Sequence, residues 1–94
     1  MDLQELLKKD TVTLVDVREP YEYEEGHVAG AINIPLGEVP SRVDEFDGMS
    51  RPLVLMCRSG ARSGNATAFL SANGLQDVHN GGGWEAVQQA LDTL

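Results

Sequence analysis

The sequence predicts an α/β domain with a mainly parallel sheet of four or five strands and helices on both of its faces. Short apolar runs alternate along the chain with segments whose apolar residues recur at helical spacing, a pattern typical of parallel sheets with crossover helices. The chain has 94 residues, the length of one small domain, which we place at residues 1–94.

The first half of the chain contains two predicted strands and three predicted helices. Leucines at helical spacing predict a helix at residues 2–9. The nearly continuous apolar run at 12–17 is expected for a strand covered on both faces. A proline, which is favoured in the first helical turn, opens a short acidic helix at 20–25. A second strand is predicted at 31–34, and an apolar stripe predicts a helix at 36–46 despite its internal proline.

The second half contains the other two strands and two longer helices. The apolar run at 53–56 is the third strand, and 61–73 is a helix that a glycine ends. A short fourth strand is predicted at 77–79, followed by a tight loop of three glycines at 81–83. An amphipathic pattern predicts a closing helix at 84–94.

The charge of the chain excludes some classes of partner. Residues 1–47 carry twelve carboxylates and four cationic side chains, which accounts for the whole net charge of −8, whereas residues 48–94 are balanced. An acidic chain without a Lys/Arg cluster argues against nucleic acid or an anionic membrane as a partner. The longest apolar run falls far short of the roughly 20 residues of a membrane span. Residues 1–11 do not resemble a signal peptide, and we expect a cytoplasmic location.

Cys57 is the only cysteine, so the chain holds neither an internal disulfide nor a second thiol to resolve an oxidised one. A lone cysteine is as often a small buried hydrophobe as a reactive group. This one immediately follows the third predicted strand, and in parallel α/β sheets the chemistry lies at the carboxyl ends of strands. It opens a short loop that leads into a helix, Cys57-Arg58-Ser59-Gly60-Ala61-Arg62.

The loop has the composition of an anion site. Gly60 permits a sharp reversal of the chain, and the helix that follows presents unpaired N–H groups and a positive dipole end to the sulfur. Such a nest of amides stabilises first the thiolate of Cys57 itself. An arginine about 6 Å away adds roughly 3 kcal/mol, or about two pKa units. We therefore expect Arg58 and Arg62 to set the local field and to attract a small anion such as thiosulfate.

This loop resembles the active-site loop of single-domain rhodaneses, the thiosulfate sulfurtransferase family. Residues 14–19 resemble the first core strand and turn of that family, 24–35 the connection into its second strand, and 80–84 its closing Gly-Gly and Trp segment. The resemblance implies a rhodanese-like three-layer domain. Family members usually have a short strand before the first helix, and only two residues precede Leu3 here, so the sheet is expected to have four strands rather than five.

The resemblance also implies a function. Cys57 would take a sulfane sulfur from thiosulfate, a polysulfide or a persulfide, and pass it as a persulfide to a thiol, cyanide or protein acceptor. The residues expected to bind substrate are those of the loop, Arg58, Ser59, Gly60, Ala61 and Arg62. No cofactor and no essential histidine are implied.

Other polar and aromatic residues receive structural assignments. Neither His27 nor His79 has a Cys or His partner at metal-ligand spacing, so no metal is expected. Both histidines are interpreted as structural. Asp16 and Arg18 follow the first strand and are expected to brace neighbouring loops, and Trp84 is expected to be a packing anchor.

Two alternatives remain at this point. Phosphatases and arsenate reductases also place a Cys and an Arg around an anion, but tyrosine phosphatases have five residues between them. Here four residues separate Cys57 from Arg62, and a smaller cradle suits a sulfur atom better than a tetrahedral phosphate. The other alternative is a non-catalytic rhodanese-like binding module, although such modules typically lack the cysteine.

Overall fold

The computed structural model describes residues 2–94, so Met1, which the single-domain prediction includes, lies outside the described residues. Its strands are β1 (Thr13–Asp16), β2 (Ile32–Asn33), β3 (Leu53–Cys57) and β4 (Val78–Gly83). They form one sheet in the order β2-β1-β3-β4, and every neighbouring pair is parallel. The prediction of a parallel α/β sheet is confirmed, with four strands in the described part of the chain.

The helices are α1 (Leu3–Leu7), α2 (Pro20–Glu25), α3 (Val43–Asp47), α4 (Ala61–Ala72) and α5 (Trp84–Asp92). The single helix predicted at 36–46 is wrong, because a 3-10 helix spans Leu36–Arg42 and α3 begins only after it. Pro40 lies inside this segment and has no N–H to donate, which interrupts a continuous α-helix. Within residues 2–94, no helix combines the length and the apolar character needed to cross a membrane.

Two buried clusters cover the two faces of the sheet. On one face, the inward residues of β1 and β3 pack against α3, α4 and the 3-10 helix through Phe46 and Leu70. On the other face, Met56 packs with Leu7 of α1 and Val87 of α5. Every residue of β3 is buried, as expected for a central strand covered on both sides. The central strand is therefore held rigidly, and it ends at Cys57.

The predicted glycine loop at 81–83 is wrong, because these residues form the end of β4. Successive residues of β3 pair with Asn80 and Gly82, so Gly81 is an extra, bulged residue. A Cβ at Gly81 would lie 2.8 Å from Cγ1 of Val54. Glycine is required here by the close approach of packed neighbours rather than by a reversal of the chain. The bulge also changes the direction of the strand beside the end of β3.

Candidate active site

Cys57 is the last residue of β3, at the carboxyl edge of the sheet, and only 1% of its surface is exposed. Gly60 precedes α4 with φ +101°, in the left-handed region that favours glycine, and this turns the chain directly from strand into helix. On the other side, Gly83 of β4 pairs with Cys57. The cysteine is therefore enclosed by the start of α4 and the end of β4.

Three hydrogen-bond donors converge on the sulfur of Cys57. The amide of Gly60 lies 3.0 Å from Sγ, and both the amide and the hydroxyl of Ser63 lie 3.4 Å from it. Amides at the start of a helix are unpaired within the helix and carry its positive dipole end. The arrangement is a preformed cradle for a negatively charged sulfur.

These donors determine the acidity of Cys57. Burial raises the pKa of the Cys57 thiol, but hydrogen bonds from the Ser63 hydroxyl and from the amides of Ser63, Ser59 and Gly60 lower it by more, so the pKa lies below its ordinary value. The sequence predicts contributions from both the helix N-terminus and the arginine charges, and the hydrogen bonds of the cradle are the largest causes that lower the pKa of Cys57. Because the thiolate is the nucleophilic form of cysteine, the cradle prepares Cys57 for attack.

The structure separates the two arginines of the loop. Arg58 is exposed and forms no salt bridge among residues 2–94. Arg62 forms a bidentate ion pair with Glu22 of α2, with N–O distances of 2.7 and 3.0 Å. The hydrogen bond from Arg62 is the largest cause that lowers the pKa of Glu22 to about 2, and the pairing raises the pKa of Arg62. Only Arg58 therefore offers an uncompensated charge beside Cys57.

Asn80 connects β4 to this cradle, a role that the sequence did not indicate. Its Nδ2 donates to the carbonyl oxygen of Gly60 at 3.0 Å, and its Oδ1 accepts from the Ser63 hydroxyl at 2.6 Å and from the amide of Gly82 at 3.0 Å. The single proton of the Ser63 hydroxyl can serve Asn80 or the sulfur of Cys57, but not both at once. Two sequence features could have pointed to these residues: Asn80 directly precedes a run of glycines, and Ser63 lies in the first helical turn after the loop.

An open cleft of about 360 Å³ lies beside the loop. Its lining includes Arg58 of the loop, the face of Trp84 and three carboxylates, and the charged members are Arg18, Arg58, Glu22, Glu25 and Glu85. The cleft borders the loop through Arg58.

The sequence profile of the Rhodanese-like domain family matches residues 1–90. The chain belongs to this family. It is 41% identical over 70 residues to "Thiosulfate sulfurtransferase PspE" of Escherichia coli (strain K12), a match that covers 73% of the chain and 67% of PspE. It is 43% identical over 67 residues to "Uncharacterized protein YqhL" of Bacillus subtilis (strain 168), covering 71% of the chain and 52% of YqhL.

The solved structure "rhodanese with anions from E. coli" shares the fold of this rhodanese-like domain. The two are 37% identical with a TM-score of 0.71, and the match covers 80% of this chain and 89% of that one. The chain spans about half the length of the first curated relatives that it matches, 52% of YqhL being an example. The three-layer rhodanese-like architecture expected from the resemblance is thus confirmed.

The rhodanese-like domain uses Asp16 and Arg18 as a brace, as predicted. Both are buried, and the guanidinium of Arg18 binds both carboxylate oxygens of Asp16 at 2.7–3.0 Å. Arg18 also donates to the carbonyl oxygens of Glu22 and Gly26, which ties α2 to the chain just after β1. Its guanidinium carbon lies 4.8 Å from the ring centroid of Trp84, and both residues line the cleft.

Both histidines make local contacts. Nδ1 of His27 lies 2.7 Å from the carbonyl oxygen of Tyr23, to which it donates, and the two rings stack with centroids 3.7 Å apart. Nε2 of His79 lies 2.6 Å from the carboxylate of Asp77. These contacts agree with the structural assignment, because each ring is engaged with residues of its own segment.

Proposed function

We propose that this rhodanese-like domain is a sulfurtransferase that moves a sulfane sulfur from thiosulfate, a polysulfide or a persulfide to a thiophilic acceptor. The thiolate of Cys57 attacks the outer sulfur of the donor. With thiosulfate, a new S–S bond to Sγ forms while the bond to the central sulfur breaks, and sulfite leaves with the electron pair. The resulting persulfide gives its outer sulfur to a thiol, cyanide or protein acceptor, which regenerates the thiolate.

The observation that carries this proposal is the convergence of three N–H and O–H donors on the sulfur of Cys57. They stabilise the attacking thiolate, and they also hold negative charge on the persulfide. Sulfite is a stable anion, so the first step needs no general acid. The similarity to a relative named thiosulfate sulfurtransferase supports the same assignment.

The loop residues receive distinct parts in the proposal. The amides of Ser59 and Gly60 stabilise the sulfur, and Ala61 begins the helix whose N-terminus faces it. Arg58, exposed and lining the cleft, attracts the anionic end of the donor. Arg62 anchors the start of α4 to α2 through Glu22.

A free cysteine without a disulfide partner also fits a reducing compartment, and we therefore place the domain in the cytoplasm.

Phosphoryl transfer is less well supported by this geometry. A phosphatase of the Cys–Arg type needs its arginine for the phosphoryl oxygens, and Arg62 is instead engaged by both of its terminal nitrogens with Glu22. Four residues separate Arg62 from Cys57, one fewer than in tyrosine phosphatases, and a smaller cradle suits a sulfur atom better than a tetrahedral phosphate.

The test is to detect the persulfide directly. The protein is incubated with thiosulfate, a polysulfide or an organic persulfide, and its intact mass is measured before and after addition of cyanide. We expect a gain of one sulfur atom, its loss on addition of cyanide with formation of thiocyanate, and neither change in Cys57→Ser. Because Cys57 is the only cysteine, no other thiol contributes. An unchanged mass with every donor would contradict the proposal.

A further inference from the structure

The lining of the cleft beside the Cys57 loop does not carry an excess of positive charge. Two arginines line it against three carboxylates, and one of the arginines, Arg18, is already paired with the buried Asp16. The exposed guanidinium of Arg58 is thus the one cationic group of the lining without an ion pair in residues 2–94. Glu22 is in turn paired with Arg62, which leaves Arg58 facing the carboxylates of Glu25 and Glu85. A doubly charged anion entering this cleft therefore meets more repulsion than attraction.

Glu22 is the residue that compensates the second arginine of the loop, Arg62. It stands in the first turn of α2, where its Oε1 also accepts from the backbone N–H of Glu19 at 3.0 Å, and it reaches 40 positions along the chain to bind Arg62. Its side chain is 15% exposed. The negative charge of Cys57 contributes to raising the pKa of Arg62, after the larger contribution of Glu22. Arg62 directly precedes Ser63, whose amide and hydroxyl contact the sulfur, but the charge of Arg62 is compensated by Glu22.

We propose that Glu22 is a specificity-determining residue that, by compensating Arg62, makes the site prefer sulfur donors with a single negative charge, such as organic persulfides, over dianionic thiosulfate. This inference rests on the proposed sulfurtransferase function and specifies its donor class. Glu22 acts through Arg62 and through its own charge in the cleft, and it is a positioning residue rather than a group that reacts.

The test compares two donors that share their chemistry but differ in charge. Thiosulfate carries two negative charges, and methanethiosulfonate carries the same terminal sulfur on a singly charged anion. Attack by Cys57 releases sulfite from the first and methanesulfinate from the second, and both leave the same persulfide. The ratio of kcat/KM for thiosulfate to kcat/KM for methanethiosulfonate therefore reports charge selection alone.

Glu22→Gln removes the charge but keeps a carbonyl oxygen for the N–H of Glu19, since Gln serves in a capping box as Glu does. We expect the ratio to rise about three- to tenfold, because one compensating charge close to a partly exposed site is removed. The change should appear in KM for thiosulfate, with kcat nearly unchanged. Glu24→Gln is the matched control: it lies on the same helix, exposed and outside the cleft lining, and should leave the ratio unchanged.

Substitution of the partner completes the test. Arg62→Ala leaves the charge of Glu22 uncompensated, so the ratio should fall below that of the wild type. The double variant restores the wild-type sum of charges and should restore the ratio to within about twofold. If Arg62→Ala does not fold, as judged by circular dichroism, Arg62→Gln takes its place. The ratio should therefore be lowest in the arginine variant, intermediate and similar in the wild type and the double variant, and highest in Glu22→Gln.

A purely structural role for the ion pair predicts a different pattern. Both single variants would then lower kcat for both donors alike, and the ratio would not change. That result, with the Cys57 persulfide still forming, would overturn the inference and leave the proposed function intact. Failure of both donors to form a persulfide in the wild type would overturn the proposed function itself.

Discussion

Ser63→Ala isolates the part of the sulfur cradle that a side chain supplies. Ser63 is fully buried, and its hydroxyl lies 3.4 Å from the sulfur of Cys57 and 2.6 Å from Oδ1 of Asn80. The substitution removes this hydroxyl and leaves the amide donors in place, those of Gly60 and Ser63 among them. Loss of a donor to the thiolate destabilises the charged form, so the pKa of Cys57 should rise.

The magnitude follows from the competition between the two acceptors of the hydroxyl. A hydrogen bond to a charged group contributes about 1.5–3 kcal/mol, and one between neutral groups about 0.5–1.5 kcal/mol. The hydroxyl must leave Asn80 to serve the thiolate, so its net contribution is the difference, about 1 kcal/mol. At roughly 1.4 kcal/mol per pKa unit, we expect a rise of about 0.7 unit.

The assay is the pH dependence of alkylation of Cys57 by iodoacetamide, which is free of interference because no other cysteine is present. The rate should fall as the pH falls through the pKa, and the midpoint should move upward in Ser63→Ala. Ser71→Ala, on the exposed side of the same helix, is the matched control and should not move it. An unchanged or lowered midpoint in Ser63→Ala would refute the assignment of the hydroxyl to the cradle.

Two further substitutions test the surroundings of the loop. Gly83→Ala would place a Cβ 2.8 Å from the carbonyl oxygen of Arg58, so we expect kcat/KM to fall at least about tenfold through a displaced loop; Gly37→Ala, with no atom within 4 Å of its Cβ, is the control, and equal activities would contradict this. Glu22 has a pKa of about 2, below its ordinary 4.5, so its pair with Arg62 stabilises the fold at neutral pH. This stability should be lost as the pH falls from about 4.5 to about 2. Denaturation midpoints of the wild type and Glu22→Gln should converge over that range, and a constant difference would argue against the pair.

The fold and the nucleophile could be predicted because both depend on local patterns. Apolar runs define the strands by themselves, and a parallel sheet places the residue at the end of its central strand at the functional edge. That argument located Cys57 correctly at the carboxyl edge. The prediction of a loop at 81–83 was wrong because glycine occurs both in turns and at sites of close packing. Only the neighbouring strand shows which of the two applies.

The partners of the loop residues could not be predicted in the same way. The ion pair of Arg62 with Glu22 joins residues 40 positions apart, and the contacts of Asn80 with Gly60 depend on a bulge in β4. A sequence shows that an arginine is present but not whether its charge is compensated in the fold.

The groups that hold the sulfur and the carboxylate that we propose selects donors by their charge come from different parts of the chain. The cradle is built from residues 57–83, whose formally charged side chains are two arginines and one aspartate, whereas Glu22 belongs to the acidic segment at 20–25. A change in α2 can therefore retune which donors are accepted without rebuilding the reactive centre. The two properties are separately adjustable, which makes α2 the natural segment to exchange when such domains diverge or are engineered for a new donor.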